Sequence, residues 1–328
     1  MNNIKIFGKF LDQPLLISKL NKKMPVIMGV ASSAILAHSA KDTFEKTKDK
    51  EKTKKETLKK GFVLASAVAS ALVAPKIAAK ITKRMPIDSI ENIKQKNQKL
   101  IDEFTRKNPL KADLKQVLEK AKDKVLSFKE IKKLANELNN DKNSQKFFNQ
   151  LIPDPENISA KDIFSEIGYL SIYGAIPVAG GILGGIGADI ATKDEKTKEN
   201  IPDKINEGIY QYLANIFMCN IGAGAALAML EKANITSKAA RAIGMTSGII
   251  LTGILGGSKI ANTISKGISP ILSPNKKPKE RKPELLDAGL HVDDIATVSL
   301  LSGLKWIEPA LPALYSISGY KAGVGYRN

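Results

Sequence analysis

Few side chains in this sequence have types and spacings that could do chemistry. Of the two histidines, only His291 has carboxylates nearby, at Asp293 and Asp294, and His38 stands alone. Neighbours in sequence make a metal site or an acid–base pair only if they converge in space, and a solvated turn is the simpler account of this group. We therefore predict no catalytic, cofactor-binding or metal-ligating residues, and no enzyme activity.

The glycine-rich stretches do not form nucleotide-binding motifs. Residues 256–259, GGSK, hold the residue types of a phosphate-binding loop in the wrong order, because that motif requires Gly-Lys-Ser/Thr after a strand. The glycines of residues 180–187 do not follow the dinucleotide-binding pattern. They recur instead at four-residue spacing, in the pairs Gly180 with Gly184 and Gly181 with Gly185. This spacing places small residues on one helix face and favours close packing of helices in lipid.

These glycines belong to an uncharged run, residues 168–188, that is as long as a membrane-spanning helix. About 20 apolar residues in a helix cross the hydrocarbon core of a bilayer. Comparable runs are residues 61–79, 208–230 and 242–258. Residues 25–40 form a shorter run, and residues 295–320 form one that charges and prolines interrupt. The pattern predicts an all-α, polytopic helical membrane bundle with four to six membrane helices.

Small residues also recur at helical spacing in two of the other apolar runs. The longest ladder consists of Gly244, Gly248, Thr252 and Gly256. A shorter one pairs Gly222 with Ala226. We expect both faces to meet another backbone, and such small-residue faces are also surfaces through which two copies could form a homo-oligomer.

The charged residues are concentrated between the apolar runs and give the chain a strongly positive balance. There are 51 Lys and Arg against 33 Asp and Glu, a formal net charge of +18. Basic segments beside apolar helices attract anionic lipid headgroups by about 1 kcal/mol per basic residue. Helix-turn-helix spacing, zinc ligands and an aromatic platform are missing, so nucleic acid is not the expected partner. We expect the lipid bilayer, with its anionic headgroups, to be the partner.

Ionisable residues in the apolar runs are the remaining functional lead, because they are costly in lipid and usually mark a pathway or an ion pair. Lys305 and Glu308, three positions apart, would share a helix face and could neutralise each other. The alternative places both at the membrane interface. Lys76 and His38 lie near the ends of their runs, from where their side chains can reach the interface.

The apolar runs divide the chain into successive segments of different character. The first are a basic interfacial leader (1–24), a membrane hairpin (25–85) and a small soluble helical domain (86–166). The others are membrane helices (167–265), an exposed linker rich in proline and lysine (266–294), and a broken or interfacial apolar segment (295–328). Within the second group of membrane helices, we expect residues 189–207 to form a mixed-charge loop.

Two pieces of the soluble domain resemble the end of an EF-hand loop, where an apolar residue pairs with its partner loop and an acid follows four residues later. They are residues 125–130, VLSFKE, and 157–162, NISAKD. The resemblance covers about residues 110–166 and implies a degenerate EF-hand-like helix pair. Ala121 and Pro153 stand where that family has acidic ligands, so no calcium cofactor is expected. An unrelated helical bundle is the alternative.

Two short patterns recur along the chain and suggest a duplicated membrane hairpin. The pattern that begins with Pro25 and Val26 returns at Pro177 and Val178. A second pattern, beginning Lys76-Ile77-Ala78, returns as Lys259-Ile260-Ala261. Chance similarity between lysine-rich segments is the alternative.

Abundant packing glycines, basic loops and few polar residues in the apolar runs favour an integral membrane protein with a non-enzymatic scaffold or membrane-shaping role. The alternative is a small-solute transporter or channel built from the duplicated hairpin, which a polar cavity inside the bundle would favour. The sequence does not indicate the type of membrane. The orientation also stays open, because basic segments fall on both predicted sides of the membrane.

Overall fold

The structure is a computed structural model, and it describes residues 14–83, 90–108, 112–122, 160–272, 274, 280–284, 287 and 311–325. Almost all of these residues are helical, and no β-strand occurs among them. The predicted all-α class is therefore confirmed.

The helices of the described residues are numbered here in chain order. They are α1 (Pro14–Thr47), α2 (Lys50–Thr82), α3 (Ile90–Lys107), α4 (Ala112–Lys122), α5 (Ala160–Ala191), α6 (Thr197–Lys232), α7 (Lys238–Gly248, continued by Ile249–Gly257 and Ser258–Leu272) and α8 (Leu311–Val324). Helices α6 and α7 each contain a π-helical segment, Leu213–Phe217 in α6 and Ile249–Gly257 in α7. A π segment holds one residue more per turn than an α-helix and so rotates the face that follows it.

The break between α1 and α2 is a two-residue turn, Lys48 and Asp49. Lys48 adopts the left-handed conformation with φ of 54°. The Asp49 carboxylate caps α2 by accepting hydrogen bonds from the backbone N–H groups of Glu51 (2.9 Å) and Lys52 (3.1 Å). A carboxylate at this position satisfies free donors and complements the helix dipole, so α2 begins sharply even inside a lysine-rich segment.

The chain divides into two compact units. One comprises Met1–Lys23, Met85–Ile158 and Ala296–Pro309, and the other comprises Met24–Arg84, Ser159–Ile295 and Ala310–Asn328. In the first unit, α3 packs against α4, and Ile101, Phe104 and Leu118 are buried. The soluble character and independent folding of residues 86–166 stay predictions.

In the second unit, four helices among the described residues are long and apolar enough to cross a membrane. They are Lys50–Thr82, Ile167–Ala191, Thr197–Lys232 and Ile243–Leu272. Each coincides with one of the four long apolar runs, so the prediction of several helices of spanning length is confirmed by length and composition. Residues 25–40 lie within α1, and the part of residues 295–320 that the structure describes lies within α8.

The mixed-charge loop expected at residues 189–207 is wrong for most of its length. Helix α5 continues to Ala191 and α6 already begins at Thr197, so only a short connection lies between them. Asp189 and Lys204 are buried and bonded to each other. Pairing in the interior explains how these charged residues belong to helices rather than to an exposed loop.

The exposed linker expected at residues 266–294 also differs in the structure. Helix α7 includes Pro270 and ends only at Leu272. Beyond it, Arg281 and Asp287 are 4% and 1% exposed. The expectation of exposure is therefore wrong at these two residues, because each finds partners of opposite charge in the interior.

Helix α5 uses its two glycine ladders for two different neighbours. The ladder of Gly180 and Gly184 lies against α2, and the ladder of Gly181 and Gly185 lies against α8. A methyl group on Gly181 would overlap the carbonyl oxygen of Gly319, so only glycine permits this approach. The four-residue spacing thus brings the backbones of neighbouring helices into contact on both sides of α5.

Helices α6 and α7 also meet through small residues. A methyl group on Gly222 would overlap the carbonyl oxygen of Gly248, and one on Gly248 would lie 2.8 Å from the Cβ of Ala226. Thr252 donates a hydrogen bond across the interface to the carbonyl oxygen of Met218 (3.0 Å). The two predicted small-residue faces therefore face each other.

Gly256 does not continue this contact, so the predicted ladder is wrong at its last position. Further along α7, Gly253 and Gly257 approach Ala214 of α6 instead. The π-helical segment Ile249–Gly257 is the physical reason, because it turns the small-residue face by one position.

The second unit exposes several large apolar side chains and buries several charged ones. Strongly exposed apolar residues include Val26 (67%), Leu183 (68%), Met229 (72%) and Ile271 (81%). Buried polar residues include Lys204, Glu207, Gln211, Arg281 and Asp287. Burial of several charged side chains is unusual for a protein in water, where such side chains are rarely buried.

Candidate functional site: buried ion pairs along helix α6

Helix α6 carries a polar stripe into the interior of the bundle. It consists of Asn200, Lys204, Glu207, Gln211 and Asn215. Intervals of three and four residues place these side chains on one helix face. Apart from Asn200, all of them are at most 5% exposed. The stripe ends within the π-helical segment Leu213–Phe217.

The first half of the stripe forms an ion-pair cluster with α2 and α5. Lys204 donates a hydrogen bond to the Asp189 carboxylate (Nζ–Oδ2 2.7 Å), and both side chains are almost completely buried. Lys59 of α2 approaches the other carboxylate oxygen of Asp189 (3.6 Å) and also binds Asp194 in the connection after α5. Asn200 donates a hydrogen bond to Asp189 Oδ2 (3.2 Å).

Asp189 is therefore the shared acceptor that joins α2, α5 and α6. Burying an ion pair costs the desolvation energy of both groups, and the pair is stabilising only with good geometry and additional hydrogen bonds. Both conditions hold at Asp189, because each carboxylate oxygen has a cationic partner. Removing a partner from a buried pair leaves an uncompensated charge, which costs about 3–5 kcal/mol.

The second half of the stripe forms another cluster around Arg281, which follows α7. The Arg281 guanidinium bonds to Glu207 of α6 (Nε–Oε2 2.9 Å) and to Asp287 (Nη2–Oδ2 3.1 Å). Lys321 of α8 pairs with Asp287 (2.7 Å) and with the exposed Glu284 (3.0 Å). The cluster joins α6 and α8 to the segment that follows α7.

Backbone and ring contacts hold Arg281 in position. Asn262 of α7 donates a hydrogen bond to the Arg281 carbonyl oxygen and accepts one from its N–H group, both at 2.9 Å. The guanidinium carbon lies 4.5 Å from the centre of the Tyr210 ring, within the range of cation–π contacts. Tyr210 shares a hydrogen bond with Ser258 (3.0 Å). The segment after α7 is thus anchored to α6 and α7 through one arginine.

The partners of Asp287 and Arg281 keep both groups charged. Burial alone would raise the pKa of Asp287, but hydrogen bonds from Lys321 and from the Glu284 backbone N–H hold it below its ordinary value. Burial alone would lower the pKa of Arg281, but the charge and hydrogen bonds of Glu207 hold it above its ordinary value. Asp287 and Arg281 therefore form a true ion pair at neutral pH.

The stripe ends at Asn215, in the π-helical segment of α6. Gln211 donates a hydrogen bond to Glu207 (2.7 Å). Asn215 donates to the Gln211 side-chain oxygen (2.8 Å) and to Asp287 (3.3 Å), and its own Oδ1 has no hydrogen-bond partner among the described residues. π segments inside α-helices are frequent at functional sites. A continuous set of hydrogen bonds therefore leads from the second ion-pair cluster to an unsatisfied acceptor.

The residues that the sequence analysis considered for chemistry are not part of these clusters, as far as the structure describes them. His38 of α1 and Lys76 of α2 are exposed. The others lie outside the described residues, namely His291, Asp293, Asp294, Lys305, Glu308, residues 125–130 and most of residues 157–162. In the part of the chain that the structure describes, no group of three or more His, Cys, Asp or Glu side chains could hold a metal ion.

The sequence contains a pattern that indicates the polar stripe, and the prediction of a loop at residues 189–207 overlooked it. Lys204, Glu207, Gln211 and Asn215 recur at helical spacing and lead directly into an uncharged run. That period indicates one helix face that continues into the run, rather than a loop. The partners come from distant segments, and nothing in their own spacing marks them.

Comparisons with known proteins found no matching family, no matching curated protein and no matching solved structure. The function is therefore inferred from the residues and their contacts. The two ion-pair clusters, the small-residue contacts and the outward-facing apolar side chains are the observations on which that inference rests.

Proposed function

We propose that this chain is an integral, multi-pass membrane protein with a non-enzymatic scaffold or membrane-shaping role. The single observation that carries the proposal is that large apolar side chains such as Leu183 and Met229 are exposed while Lys204 and Glu207 are buried. Large apolar surfaces are a liability in water. In lipid they are solvated, and polar groups must be satisfied inside the protein.

The scaffold role is supported by the way in which the interior is filled. Helices α5 and α8 touch backbone to backbone at Gly181 and Gly319. The buried charges of α6 are paired with other elements, since Lys204 binds Asp189 of α5 and Glu207 binds Arg281. Such contacts tolerate little rearrangement, which suits a rigid structural element. The lysine-rich segments would hold this element against anionic headgroups.

A small-solute transporter or channel is the second candidate, and the polar stripe of α6 favours it. Asn200 and Asn215 lie at opposite ends of the stripe, about 22 Å apart at 1.5 Å per residue. Ionisable residues within membrane helices often mark ion or proton pathways. The unsatisfied Asn215 Oδ1 would be an acceptor at the inner end of such a pathway.

Extraction with alkaline carbonate tests the membrane assignment. We expect the full-length protein to stay in the membrane pellet, because helices such as Ile167–Ala191 would have to leave lipid for water. A peripheral basic protein in the same preparation should be released and serves as the control. Recovery of this chain in the soluble fraction would refute the assignment.

Ion flux through protein-containing vesicles separates the two candidates. A scaffold predicts that such vesicles hold proton and potassium gradients for as long as protein-free vesicles. A pathway along the stripe predicts faster collapse, which Gln211→Leu and Asn215→Leu should slow. Met229→Leu, on the exposed face of the same helix, is the matched control and should leave the rate unchanged.

A further inference from the structure

A groove between α1 and α2 is not accounted for by the helix contacts or the ion pairs. Its volume is about 710 Å³, within the range of about 300–1,000 Å³ that is typical of small-molecule sites. Its apolar lining consists of Leu36, Phe44, Leu58, Gly61, Phe62 and Ala65. The groove is therefore large enough and apolar enough for a ligand of substantial size.

The groove changes character along its length. Lys50, Thr53 and Lys54 line the end near the turn between α1 and α2. Leu36 and Ala65 line the other end, and both belong to uncharged runs. Lysine side chains therefore border one end of the groove, whereas its lining is almost entirely apolar.

The length of the groove matches that of one phospholipid molecule. Lys50 and Ala65 are fifteen positions apart on one helix, which corresponds to about 22 Å at 1.5 Å per residue. A bilayer with its headgroup regions is about 40–45 Å thick, so one leaflet is about half of that. An amphiphile of leaflet length would place its headgroup at the lysines and its chain along the apolar lining.

Two observations at the basic end indicate an anionic headgroup. Lys46 and Lys59 nearby are paired with acidic side chains, whereas Lys50 and Lys54 have no acidic partner among the described residues. The Oγ1 atom of Thr57, which also lines the groove, is buried and has no hydrogen-bond partner within the described part of the chain. Two free cations and an unsatisfied hydroxyl complement a phosphate with its neighbouring ester oxygens.

We propose that this groove binds one anionic phospholipid, with its phosphate at Lys50 and Lys54 and an acyl chain along Leu36, Phe62 and Ala65. The proposal rests on the membrane placement proposed above and adds a specific lipid site to it. The lipid fills a gap between α1 and α2 that no described side chain fills, so it acts as a structural ligand of this hairpin.

Native mass spectrometry of the full-length protein tests the site. The protein is released from mixed micelles that contain equal amounts of phosphatidylglycerol and phosphatidylcholine, and the retained lipids are counted by mass. We expect one phosphatidylglycerol to be retained preferentially. The double variant Lys50→Gln/Lys54→Gln should lower this preference about 30-fold, which corresponds to about 1 kcal/mol for each lysine. Lys52→Gln/Lys55→Gln, on the same helix but outside the groove lining, should leave it unchanged.

Gly61→Leu tests the apolar half of the groove. A methyl group on Gly61 would meet only the Leu36 side chain, at 3.9 Å, so the backbone accommodates the change while the larger side chain fills the groove. We expect loss of the retained lipid of both kinds. Gly187→Leu is the matched control, because a methyl group there meets nothing within 4 Å. If Gly61→Leu fails to fold, the lipid site is tested by Lys50→Gln/Lys54→Gln and its control alone.

Different experimental results would refute the lipid site and the membrane assignment. Unchanged lipid retention in the Gly61→Leu and Lys50→Gln/Lys54→Gln variants would overturn the lipid site, even with a carbonate-resistant protein. A lipid-free dimer that Gly61→Leu converts to a monomer would also overturn it, since a second copy of the chain would then fill the groove. Release of the wild-type protein by carbonate would refute the membrane placement itself.

Discussion

Helices α5 and α6 join the same bundle by opposite means. Helix α5 meets α2 and α8 through glycines, with backbones in contact at Gly181 and Gly319. Helix α6 is held through buried charges, with Lys204 bound to Asp189 and Glu207 bound to Arg281. Helices in lipid gain little from apolar burial against each other, so shape and hydrogen bonding must replace it. The comparison predicts that the glycine contact of α5 with α8 is most sensitive to added side-chain volume. The ion-pair contacts of α6 should be most sensitive to the loss of a charge.

The largest expected effect is at the glycine interface, from Gly181→Leu. The new side chain would run into the backbone of Gly319, which cannot move aside as the end of a flexible side chain can. Overpacking usually costs about 1–3 kcal/mol, and a collision with backbone should exceed that range. We expect no monodisperse folded protein by size-exclusion chromatography in detergent.

Gly187→Leu is the control for Gly181→Leu, because it adds the same volume to α5 at an open, exposed position. It should elute and melt like the wild type. If Gly181→Leu behaved in the same way as Gly187→Leu, the close approach of α5 and α8 at this position would be refuted.

Loss of charge at the other interface should be the next largest effect. Arg281→Met leaves the buried carboxylates of Glu207 and Asp287 without their shared cation. Breaking a buried pair costs about 3–5 kcal/mol, measured as a lowered free energy of unfolding. Adding Glu207→Gln should restore part of that loss, because one unpaired charge is then removed. A double variant no more stable than Arg281→Met would contradict the pairing of these two residues.

Gly248→Leu probes the smaller interface between α6 and α7. The side chain would meet the backbone of Gly222 and the Ala226 methyl group, less closely than Gly181→Leu meets Gly319. The free energy of unfolding in detergent should therefore fall by about 3 kcal/mol, the upper end of the usual cost of overpacking. Membrane insertion should persist, because the segment becomes more apolar. Ile250→Leu is the volume-conserving control and should change stability little. Gly256→Leu should cost less than Gly248→Leu, since the π segment turns Gly256 away from α6; an equal cost would contradict that rotation.

The smallest expected effect is an acid destabilisation through Asp287. Its pKa is lower in the folded protein than the unfolded value of about 3.9. Its contribution to stability is therefore complete above that value and is lost as the pH falls through the folded pKa. The groups that face it are Lys321, Arg281, the backbone N–H of Glu284, Gln211 and Asn215. Asp287→Asn should flatten the fall in unfolding free energy below about pH 4, and identical acid slopes would contradict the proposed pairing.

The sequence by itself determined the helical class, the long apolar helices and the small-residue faces of α5. These are local properties, because an uncharged run of spanning length and a four-residue spacing are complete within one segment. Residues 168–188 show both, and the structure places them in one helix with a neighbour on each glycine face. The prediction failed at Gly256, where a π segment changed the helical period on which the spacing argument depends.

Only the tertiary structure decided where the charges lie and which of them are paired. In the sequence, Asp189 and Lys204 lie beside apolar runs and Arg281 lies in a segment rich in proline and lysine. Exposure to water is the position of lowest free energy for an unpaired charge. These three residues are buried because the fold brings a partner of opposite charge within hydrogen-bonding distance of each. Arg281 and Glu207 are 74 positions apart in the chain, yet they bond at 2.9 Å. The type of residue determines the free energy that burying one charge costs. Whether a partner of opposite charge offsets that cost depends on the distance between the two groups, which only the folded chain determines.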